Sequence, residues 1–281
     1  MHWSIVLSTH QASFNAVAYK GDLQTNVAQI ASLGYDGVEL AIRDPKRVDP
    51  DYLLPLIADH QLKVPAIGTG QAWGEDKLSL TDPDAVIRRE AMDRLDSHLP
   101  LAQRLGAAII VGLIRGVGGF SSAGQEEKWL LEALGQFSET AAAHEVKIAI
   151  EPLNRYETTL INTASQGLEL IEKLEADNIG LLLDTFHMNI EEPSIEDSIL
   201  ACQDKIFHFH VADSNRWYPG AGHLDFTSIL NTLLKTGYKG FVSGEFMPNP
   251  DAAVAASRAI DYFRSLRIDN TEAIAKEKGC L

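Results

Sequence analysis

The sequence predicts a single-domain α/β fold, a closed parallel (β/α)₈ or TIM barrel, on three observations. Apolar, strand-like runs alternate with amphipathic helical stretches at a repeat of about thirty residues, roughly one βα unit. No long linker or change in composition divides the 281 residues. A chain of this length with 45% hydrophobic residues can bury the core of one large domain. An open doubly wound sheet is the alternative, but eight strand–helix repeats favour closure.

Eight strands and eight helices are expected in strict alternation. The expected strands cover residues 3–9, 36–41, 63–69, 107–113, 146–151, 179–184, 205–211 and 240–245. The expected helices cover residues 21–33, 50–60, 84–105, 125–144, 163–175, 194–203, 226–236 and 251–266.

Glycine and proline mark several of these boundaries. The segments Leu33–Gly37 and Thr236–Gly240 each contain two glycines. Both are typical of a helix end followed by a turn into the next strand, because Gly adopts the left-handed conformation at low cost. The segments Asp82–Asp84 and Glu192–Ser194 each have a central proline and predict helix starts, with Pro in the first turn.

Two long loops follow strand ends, at residues 70–83 and 212–224. Loops at the C-terminal face of a barrel carry the functional site, so we expect these two to cover it. The barrel is assigned to residues 1–268. The remaining residues, 269–281, form a C-terminal tail of helix-forming composition, which either frays or docks on a partner subunit.

The charge and composition of the chain limit the kinds of partner and compartment that we expect. The chain has 24 basic and 39 acidic residues, a net charge of −15, which repels phosphate backbones and anionic lipid headgroups. We therefore expect no nucleic-acid partner and no membrane partner. The chain starts without a basic, signal-like region and contains no apolar stretch of membrane-spanning length, so we expect a cytoplasmic protein. Its two cysteines, Cys202 and Cys280, have no metal-type spacing and are expected to be reduced.

Four apolar runs in the second half of the chain end in a carboxylate or an imidazole. These residues are Glu151, Asp184, His210 and Glu245, at the ends of the last four expected strands. Strand ends converge at one mouth of a barrel, so the four side chains are expected to meet. Three carboxylates with one imidazole suit Mn²⁺ or Mg²⁺, and the nitrogen shifts the choice toward Mn²⁺, Co²⁺ or Zn²⁺. We expect one divalent ion, Mn²⁺ in the first place.

His208 lies two residues before His210 and shares its strand face. It would lie one layer deeper in the barrel. We therefore expect a hydrogen-bonded core histidine rather than a metal ligand.

Three segments resemble one known family. They are Glu151–Glu157, Leu183–Glu192 and His208–Arg216, and they are similar to the D-tagatose 3-epimerase group of the xylose-isomerase-like barrels. The similarity extends over nearly the whole chain, except the tail after about residue 268. The resemblance implies a metal-dependent isomerase that inverts the carbon next to the ketone of a ketose or ketouronate. One such reaction, which the resemblance also implies, is the interconversion of 5-keto-L-gluconate and D-tagaturonate.

The resemblance also implies roles for individual residues. The family's metal ligands correspond to the same four residues found above, and its substrate-contacting residues correspond to Glu157, His187 and Arg216. Members of the group form dimers or tetramers, which implies a homo-oligomer that acts on a small sugar or sugar acid. No interface is evident in the sequence.

The chemistry requires two proton carriers, since a carbon-bound proton must be removed and replaced from the opposite face. Glu151 and Glu245 come from strands on opposite sides of the mouth and are expected to act in turn as base and acid. The cation would stabilise the enediolate. A substrate carboxylate would call for a cation, and Arg43 and Arg115 follow the ends of the second and fourth expected strands.

Several alternatives stay open at this point. The same barrel and metal site would suit a neutral ketohexose 3-epimerase, a hydroxypyruvate isomerase, or an inosose isomerase or dehydratase, because loops set the substrate. An apurinic endonuclease is a remote alternative, since it would need extra histidines where the third and fourth strands end in Gly68–Gly70 and Gly112. The third alternative is a barrel that binds a ligand and catalyses no reaction.

Overall fold

Nine parallel strands form one sheet that closes on itself, because the first strand pairs with the last. In this computed structural model, which describes residues 1–268, the strands are β1 (His2–Ser8), β2 (Tyr19–Lys20), β3 (Gly37–Ala41), β4 (Ala66–Gly68), β5 (Ala108–Val111), β6 (Ile148–Ile150), β7 (Ile179–Asp184), β8 (Ile206–Val211) and β9 (Phe241–Gly244). Strand β2 pairs only with Leu7 and Ser8 at the end of β1, so the barrel proper has eight strands. The predicted fold class is confirmed. The tail predicted at 269–281 lies outside the described residues.

Ten α-helices follow the strands or their loops. They are α1 (Leu23–Ser32), α2 (Pro50–Asp59), α3 (Gln71–Asp76), α4 (Ala85–Leu105), α5 (Ala123–Ala143), α6 (Ala164–Leu174), α7 (Thr185–Glu191), α8 (Ile195–Cys202), α9 (Phe226–Lys235) and α10 (Ala252–Ser265) within residues 1–268. Side-chain caps begin many of them; α6 has a complete capping box formed by Thr163 and Gln166, which satisfies backbone N–H groups that the helix leaves free.

Most predicted boundaries agree with the structure to within a few residues. Gly34 and Gly237 have φ angles of 83° and 81°, as expected for residues that end helices. The expectation of Pro in the first turn of α4 and α8 is wrong. The caps are Asp84 and Ser194, so each proline lies just before its helix rather than inside it.

Within residues 1–268, one strand and two α-helices were not expected from the sequence. Strand β2 lies in a stretch assigned to no element. Helix α3 lies in the loop predicted at 70–83, and α7 starts directly at the end of β7. All three are short, and they surround the mouth of the barrel.

The core of the described residues has three parts, one large and two small. The smallest consists of Val6, Val17 and Ala41. Outward-facing strand residues and the helices form one large buried cluster, which includes Ile67, Ile109, Ile148 and Leu181. Alternate residues of the same strands form a small separate cluster of Ala66, Ile110, Ala149 and Leu182, which fills the barrel interior. Beyond this small cluster, toward the C-terminal ends of the strands, the barrel interior becomes polar, and the candidate site lies there. Among residues 1–268 we find no helix with the length and apolar character needed to cross a bilayer.

Candidate active site

The four predicted ligands meet at the C-terminal mouth of the barrel. Glu151 directly follows β6, Asp184 ends β7, His210 lies in β8 and Glu245 directly follows β9. Asp184 and His210 are direct partners in the β7–β8 pairing. One ligand atom from each of the four residues lies within 4.8 Å of the others. The fold thus assembles four residues that are far apart in sequence.

Their unpaired atoms are arranged as a cation would require. The atoms Glu151 Oε1, Asp184 Oδ2 and His210 Nδ1 are buried and have no hydrogen-bond partner among the described residues. His210 Nδ1 lies 3.9 Å from Glu151 Oε1 and 4.0 Å from Glu245 Oε2. Buried polar atoms without partners are costly, and a divalent ion would satisfy these three together. The residues therefore fit one divalent cation with mostly oxygen ligands.

The sequence analysis did not identify Glu39, which lies directly beside this cluster. Glu39 is in the middle of β3, is 1% exposed, and contacts His208 Nε2 at 2.7 Å and His210 Nε2 at 2.9 Å. His208 is thus the hydrogen-bonded interior histidine that the sequence predicted. The only signal for Glu39 was one carboxylate inside an otherwise apolar strand.

His187 lies in α7 and directs one ring nitrogen into the mouth. The backbone N–H of Asn154 donates to His187 Nδ1 at 3.1 Å, and because an N–H can only donate, Nδ1 is the acceptor. The ring proton of neutral His187 therefore resides on Nε2, which is buried and has no partner among residues 1–268. This Nε2–H lies 4.0 Å from Glu151 Oε1 and 3.9 Å from Asp184 Oδ2. It is available to donate to a ligand oxygen.

Asn154 is a second residue that the sequence analysis missed. Its side-chain amide contacts His187 Nδ1 at 2.8 Å and donates to Glu157 Oε1 at 3.0 Å. It therefore couples two of the residues expected to contact substrate. Both of these, His187 and Glu157, line the same cavity.

Arg216 reaches the mouth from the loop after β8. Its guanidinium donates to Glu157 Oε1 at 2.9 Å and contacts Glu245 Oε2 at 3.5 Å. It also lies between the rings of Phe14 and Phe186, 5.0 and 4.6 Å from their centroids. Aromatic faces and carboxylates thus fix the position of this cation.

Arg43 and Arg115, the other two predicted substrate contacts, do not line the cavity. Arg115 is fully buried and donates to the carbonyl oxygens of Gly112, Leu160 and Ile161. Arg43 forms ion pairs with Glu75 and Asp76 of α3. Each guanidinium therefore binds other parts of the protein, and the expectation that either faces the substrate disagrees with the structure.

Burial sets the protonation of the cluster. Burial and the neighbouring Glu245 carboxylate raise the pKa of Glu151 well above its usual value, and burial raises the pKa of Glu245 to about 7. Burial alone would lower the pKa of His210, but the charge and hydrogen bond of Glu39, together with the charges of Glu245 and Glu151, outweigh it and raise that pKa to about 10. Burial, reinforced by Arg216, lowers the pKa of His187 well below its usual value and keeps it neutral. In the absence of a cation, the cluster thus retains protons near neutral pH.

The cavity above the cluster has both apolar and polar walls. Among residues 1–268 it is lined by Val6, Ser13, Phe14, Val17, Glu39, Ala41, Gly68, Thr69, Gly70, Gln71, Gly74, Glu75, Ile110, Gly112, Leu113, Glu151, Leu153, Glu157, His187, His210, Arg216 and Glu245. Helix α3 and the loop residue Arg216 form part of its rim, so both loops predicted as covers contribute to the wall.

Known proteins are similar to this chain along most of its length. A family described as "Xylose isomerase-like TIM barrel" matches residues 27–266. An L-ribulose 3-epimerase of Mesorhizobium japonicum is 32% identical over 273 residues, which covers 96% of this chain and 90% of that protein. A ketose 3-epimerase of Arthrobacter globiformis is 28% identical over 256 residues, covering 89% of this chain and 86% of that one.

Solved structures show the same relationship. The structure of an L-ribulose 3-epimerase superposes with a TM-score of 0.80 at 28% identity, covering 98% of this chain and 97% of that one. The similarity extends along the barrel and includes the strands that carry the cluster. The relatives named above are epimerases, which are isomerase-class enzymes. The chain therefore belongs to the xylose isomerase-like TIM barrel family and is an isomerase-class enzyme similar to the ketose 3-epimerases.

Proposed function

We propose that this enzyme inverts the carbon next to the ketone of a ketose or ketouronate by proton transfer between Glu151 and Glu245. The observation that carries the proposal is the placement of these two carboxylates. They follow strands β6 and β9, line one cavity, and each lies about 4 Å from the same nitrogen of His210. Inversion requires a proton carrier on each side of the reacting carbon.

One divalent cation would bind Glu151, Asp184, His210 and Glu245, and we propose Mn²⁺. Co²⁺, Mg²⁺ and Zn²⁺ are the alternative ions for the same ligand atoms. A bound cation would supply electrophilic stabilisation of the negative charge that develops on the substrate oxygens. It would also favour the ionised form of the carboxylates that burial alone keeps protonated.

The protein's own side chains perform the remaining work. Glu151 and Glu245 remove and return the proton. His187 Nε2–H donates to a substrate oxygen, and its low pKa keeps the ring neutral. Arg216 and Glu157 form a charged pair in the cavity wall and orient the substrate hydroxyls. The apolar walls exclude water from the reacting carbon.

We propose 5-keto-L-gluconate and D-tagaturonate as the natural substrate pair, on the strength of the resemblance in the three segments described first. A ketouronate carries a carboxylate, and Arg216 is the one Arg or Lys that lines the cavity among the described residues. It takes the place of Arg43 and Arg115 as the cation expected to contact that group.

A neutral ketose is the second candidate, and the lining itself favours it. Five glutamates line the cavity against one arginine: Glu39, Glu75, Glu151, Glu157 and Glu245. Arg216 is already paired with two of them. An anionic substrate must therefore compete for that cation, whereas a neutral sugar need not.

An apurinic endonuclease does not fit the same mouth. Strand β4 ends at Gly68 and β5 is followed by Gly112, so neither supplies the histidines that a cluster of metal ions would require. Within residues 1–268 there are two candidate groups of metal ligands. One is the cluster described above, and the other, the Glu39 group, consists of Glu39, His208 and His210.

The test is isotope exchange with a substrate panel. Mn²⁺-loaded and chelator-treated protein would be incubated in D₂O with several ketoses and ketouronates, and NMR would identify the carbon that gains deuterium. We expect exchange at the carbon next to the ketone in the loaded protein and little after chelation. Equal exchange in both samples would refute the metal-dependent mechanism, and the ratio of rates on ketouronate and neutral ketose separates the two candidates.

A further inference from the structure

Glu39 is the most deeply buried carboxylate beside the cluster that the proposed chemistry does not use. It is 1% exposed in the middle of β3. Its Oε2 lies 2.7 Å from His208 Nε2 and 2.9 Å from His210 Nε2, and its Oε1 lies 3.0 Å from the same nitrogen of His210. An ionised carboxylate at such depth is tolerated only when donors surround it.

These contacts determine where His210 holds its proton. An ionised carboxylate only accepts hydrogen bonds, so the Nε2 atoms of both histidines must carry hydrogen. In neutral His210 the lone pair is then on Nδ1. That atom has no hydrogen-bond partner among residues 1–268 and lies 3.9 and 4.0 Å from oxygens of Glu151 and Glu245. The free lone pair is therefore directed at the position that a cation would occupy.

We propose that Glu39 is the positioning residue of the metal centre, holding His210 in the Nε2–H tautomer and fixing its ring so that Nδ1 is the ligand. His208 is the second donor to Glu39 and holds the carboxylate in place. This inference rests on the proposed function, because the ligand role of His210 belongs to it. Partners of this kind orient metal-bound histidines and raise their basicity.

The alternative is that Glu39, His208 and His210 bind an ion of their own, since their ligand atoms are also close together. The contacts argue against it. The Glu39 oxygens and the two Nε2 atoms already satisfy one another at hydrogen-bond distances, which requires a hydrogen between them. The other cluster, in contrast, contains three buried atoms without partners.

The main test is the affinity of full-length, metal-free protein for Mn²⁺, measured by EPR of the free ion during titration. In Glu39→Gln the amide keeps the shape, but either orientation places its N–H₂ against His210 Nε2, because both Glu39 oxygens contact that nitrogen. We expect Mn²⁺ to bind about 10- to 100-fold more weakly than to the wild type. Wild-type affinity in folded Glu39→Gln would overturn the inference.

His98→Gln is the matched control. His98 is equally buried and is hydrogen-bonded through both ring nitrogens, but to the carbonyl oxygens of Arg94 and Ile42. It should lose thermal stability and keep the wild-type Mn²⁺ affinity. An equal loss of affinity in this control would show that Glu39 acts only through general stability and would overturn the positioning role.

A second measurement locates the hydrogen on His210 directly. In ¹⁵N-histidine-labelled wild-type protein loaded with diamagnetic Zn²⁺, NMR should show His210 with hydrogen on Nε2 and the ion on Nδ1. Hydrogen on Nδ1, or two ions bound per wild-type chain and one per Glu39→Gln chain, would overturn the inference. A wild type that binds no divalent ion would overturn the proposed function as well, whereas unchanged binding in Glu39→Gln overturns the inference alone.

Discussion

The chemistry of the mouth depends on a few atoms that the fold leaves unpaired. Glu151 Oε1, Asp184 Oδ2, His210 Nδ1 and His187 Nε2 are all buried without hydrogen-bond partners among the described residues. Native structures contain few such atoms, because each costs about 1–3 kcal/mol. Three of them can be satisfied by a cation and the fourth by a substrate oxygen. These unpaired atoms thus lower the stability of the folded protein and make the site able to bind a cation and a substrate.

Substitution of the two proton carriers separates catalysis from metal binding. Glu151→Gln and Glu245→Gln should each lower turnover at least about 100-fold even at saturating Mn²⁺, because an amide does not transfer the proton. Asp184→Asn is the matched comparison, since Asp184 is expected to bind metal only. Its turnover should recover substantially as Mn²⁺ is raised. Deuterium incorporation at the reacting carbon measures all three.

Near-normal turnover in either Gln variant would contradict the two-glutamate mechanism. A turnover of Asp184→Asn that stays low at every Mn²⁺ concentration at which the ion is bound would show that Asp184 takes part in the chemistry itself.

The raised pKa values predict how the stabilisation by metal depends on pH. Burial raises the pKa of Glu245 from 4.5 to about 7 in the metal-free protein. The folded state therefore binds this proton more tightly than the unfolded state, and that contribution to stability is lost as pH rises from below 4.5 through about 7. A cation replaces the proton, so the gain in Tm on adding Mn²⁺ should grow between pH 5 and pH 8.

Thermal melts with Mn²⁺ and with chelator across that pH range check the prediction. His210 acts in the same direction, since its pKa is raised to about 10 and a ligand nitrogen must release a proton. A gain in Tm that is the same at pH 5 and pH 8 would show that protons and the ion do not compete for these residues.

At the scale of single elements, strand ends were predictable and short helices were not. Asp184 ends a continuous apolar run, and His210 lies near the end of a run that only His208 interrupts, so sequence patterning located both strands and both side chains. Glu39 was missed because a carboxylate in the middle of a strand gives no indication of which face it occupies or what lies opposite. Its partners are about 170 residues away in sequence, at separations of 169 and 171, and only the closed barrel brings them together.

Helix α3 was missed for a different physical reason. Six residues are too few for an isolated helix to be stable, so its formation depends on tertiary contacts. Arg43 contributes many of these contacts through Glu75 and Asp76, while Arg94 also pairs with Asp76. The side chain that sequence reasoning assigned to substrate therefore stabilises the rim of the cavity instead.

This assignment predicts the effect of Arg43→Met. The partly exposed ion pairs should contribute only about 1 kcal/mol or less to the free energy of unfolding. Backbone amides of α3, in contrast, should exchange with solvent faster, because the helix loses its anchor. The ratio of rates on ketouronate and neutral ketose should stay unchanged, whereas Arg216→Met should change it. Hydrogen exchange by mass spectrometry and the substrate panel measure the two effects.

A slower or unchanged exchange at residues 71–76 would contradict the anchoring role of Arg43. A shift in the substrate ratio in Arg43→Met that matches the shift in Arg216→Met would return Arg43 to the substrate contacts.

At the scale of the whole molecule, the cluster belongs to one half of the barrel. All four proposed ligands come from the C-terminal ends of β6 to β9, and the segments that carry Glu157, His187 and Arg216 follow three of these strands. The other half supplies Glu39 and the α3 rim. The closed fold was predictable from the repeat of strands and helices. Which site residues each half of the barrel contributes was not predictable, because that depends on loop packing, which the repeat does not specify.

A bound ion should therefore stabilise the molecule unevenly. An ion that binds only the folded state adds about 2.7 kcal/mol to the free energy of unfolding at 100 times its Kd. Because the ligands tie four consecutive strand ends, local opening should be suppressed most at residues 151–158, 184–192, 210–217 and 245–250. Residues 108–111 of β5, which supply no ligand, should change little beyond the global effect. Hydrogen exchange of metal-free and Mn²⁺-loaded protein, read segment by segment, tests this directly. The same increase in protection in every segment would mean that the ion acts only on global unfolding, and protection concentrated at β3 and β8 would place it at the Glu39 group instead of at the four strand ends.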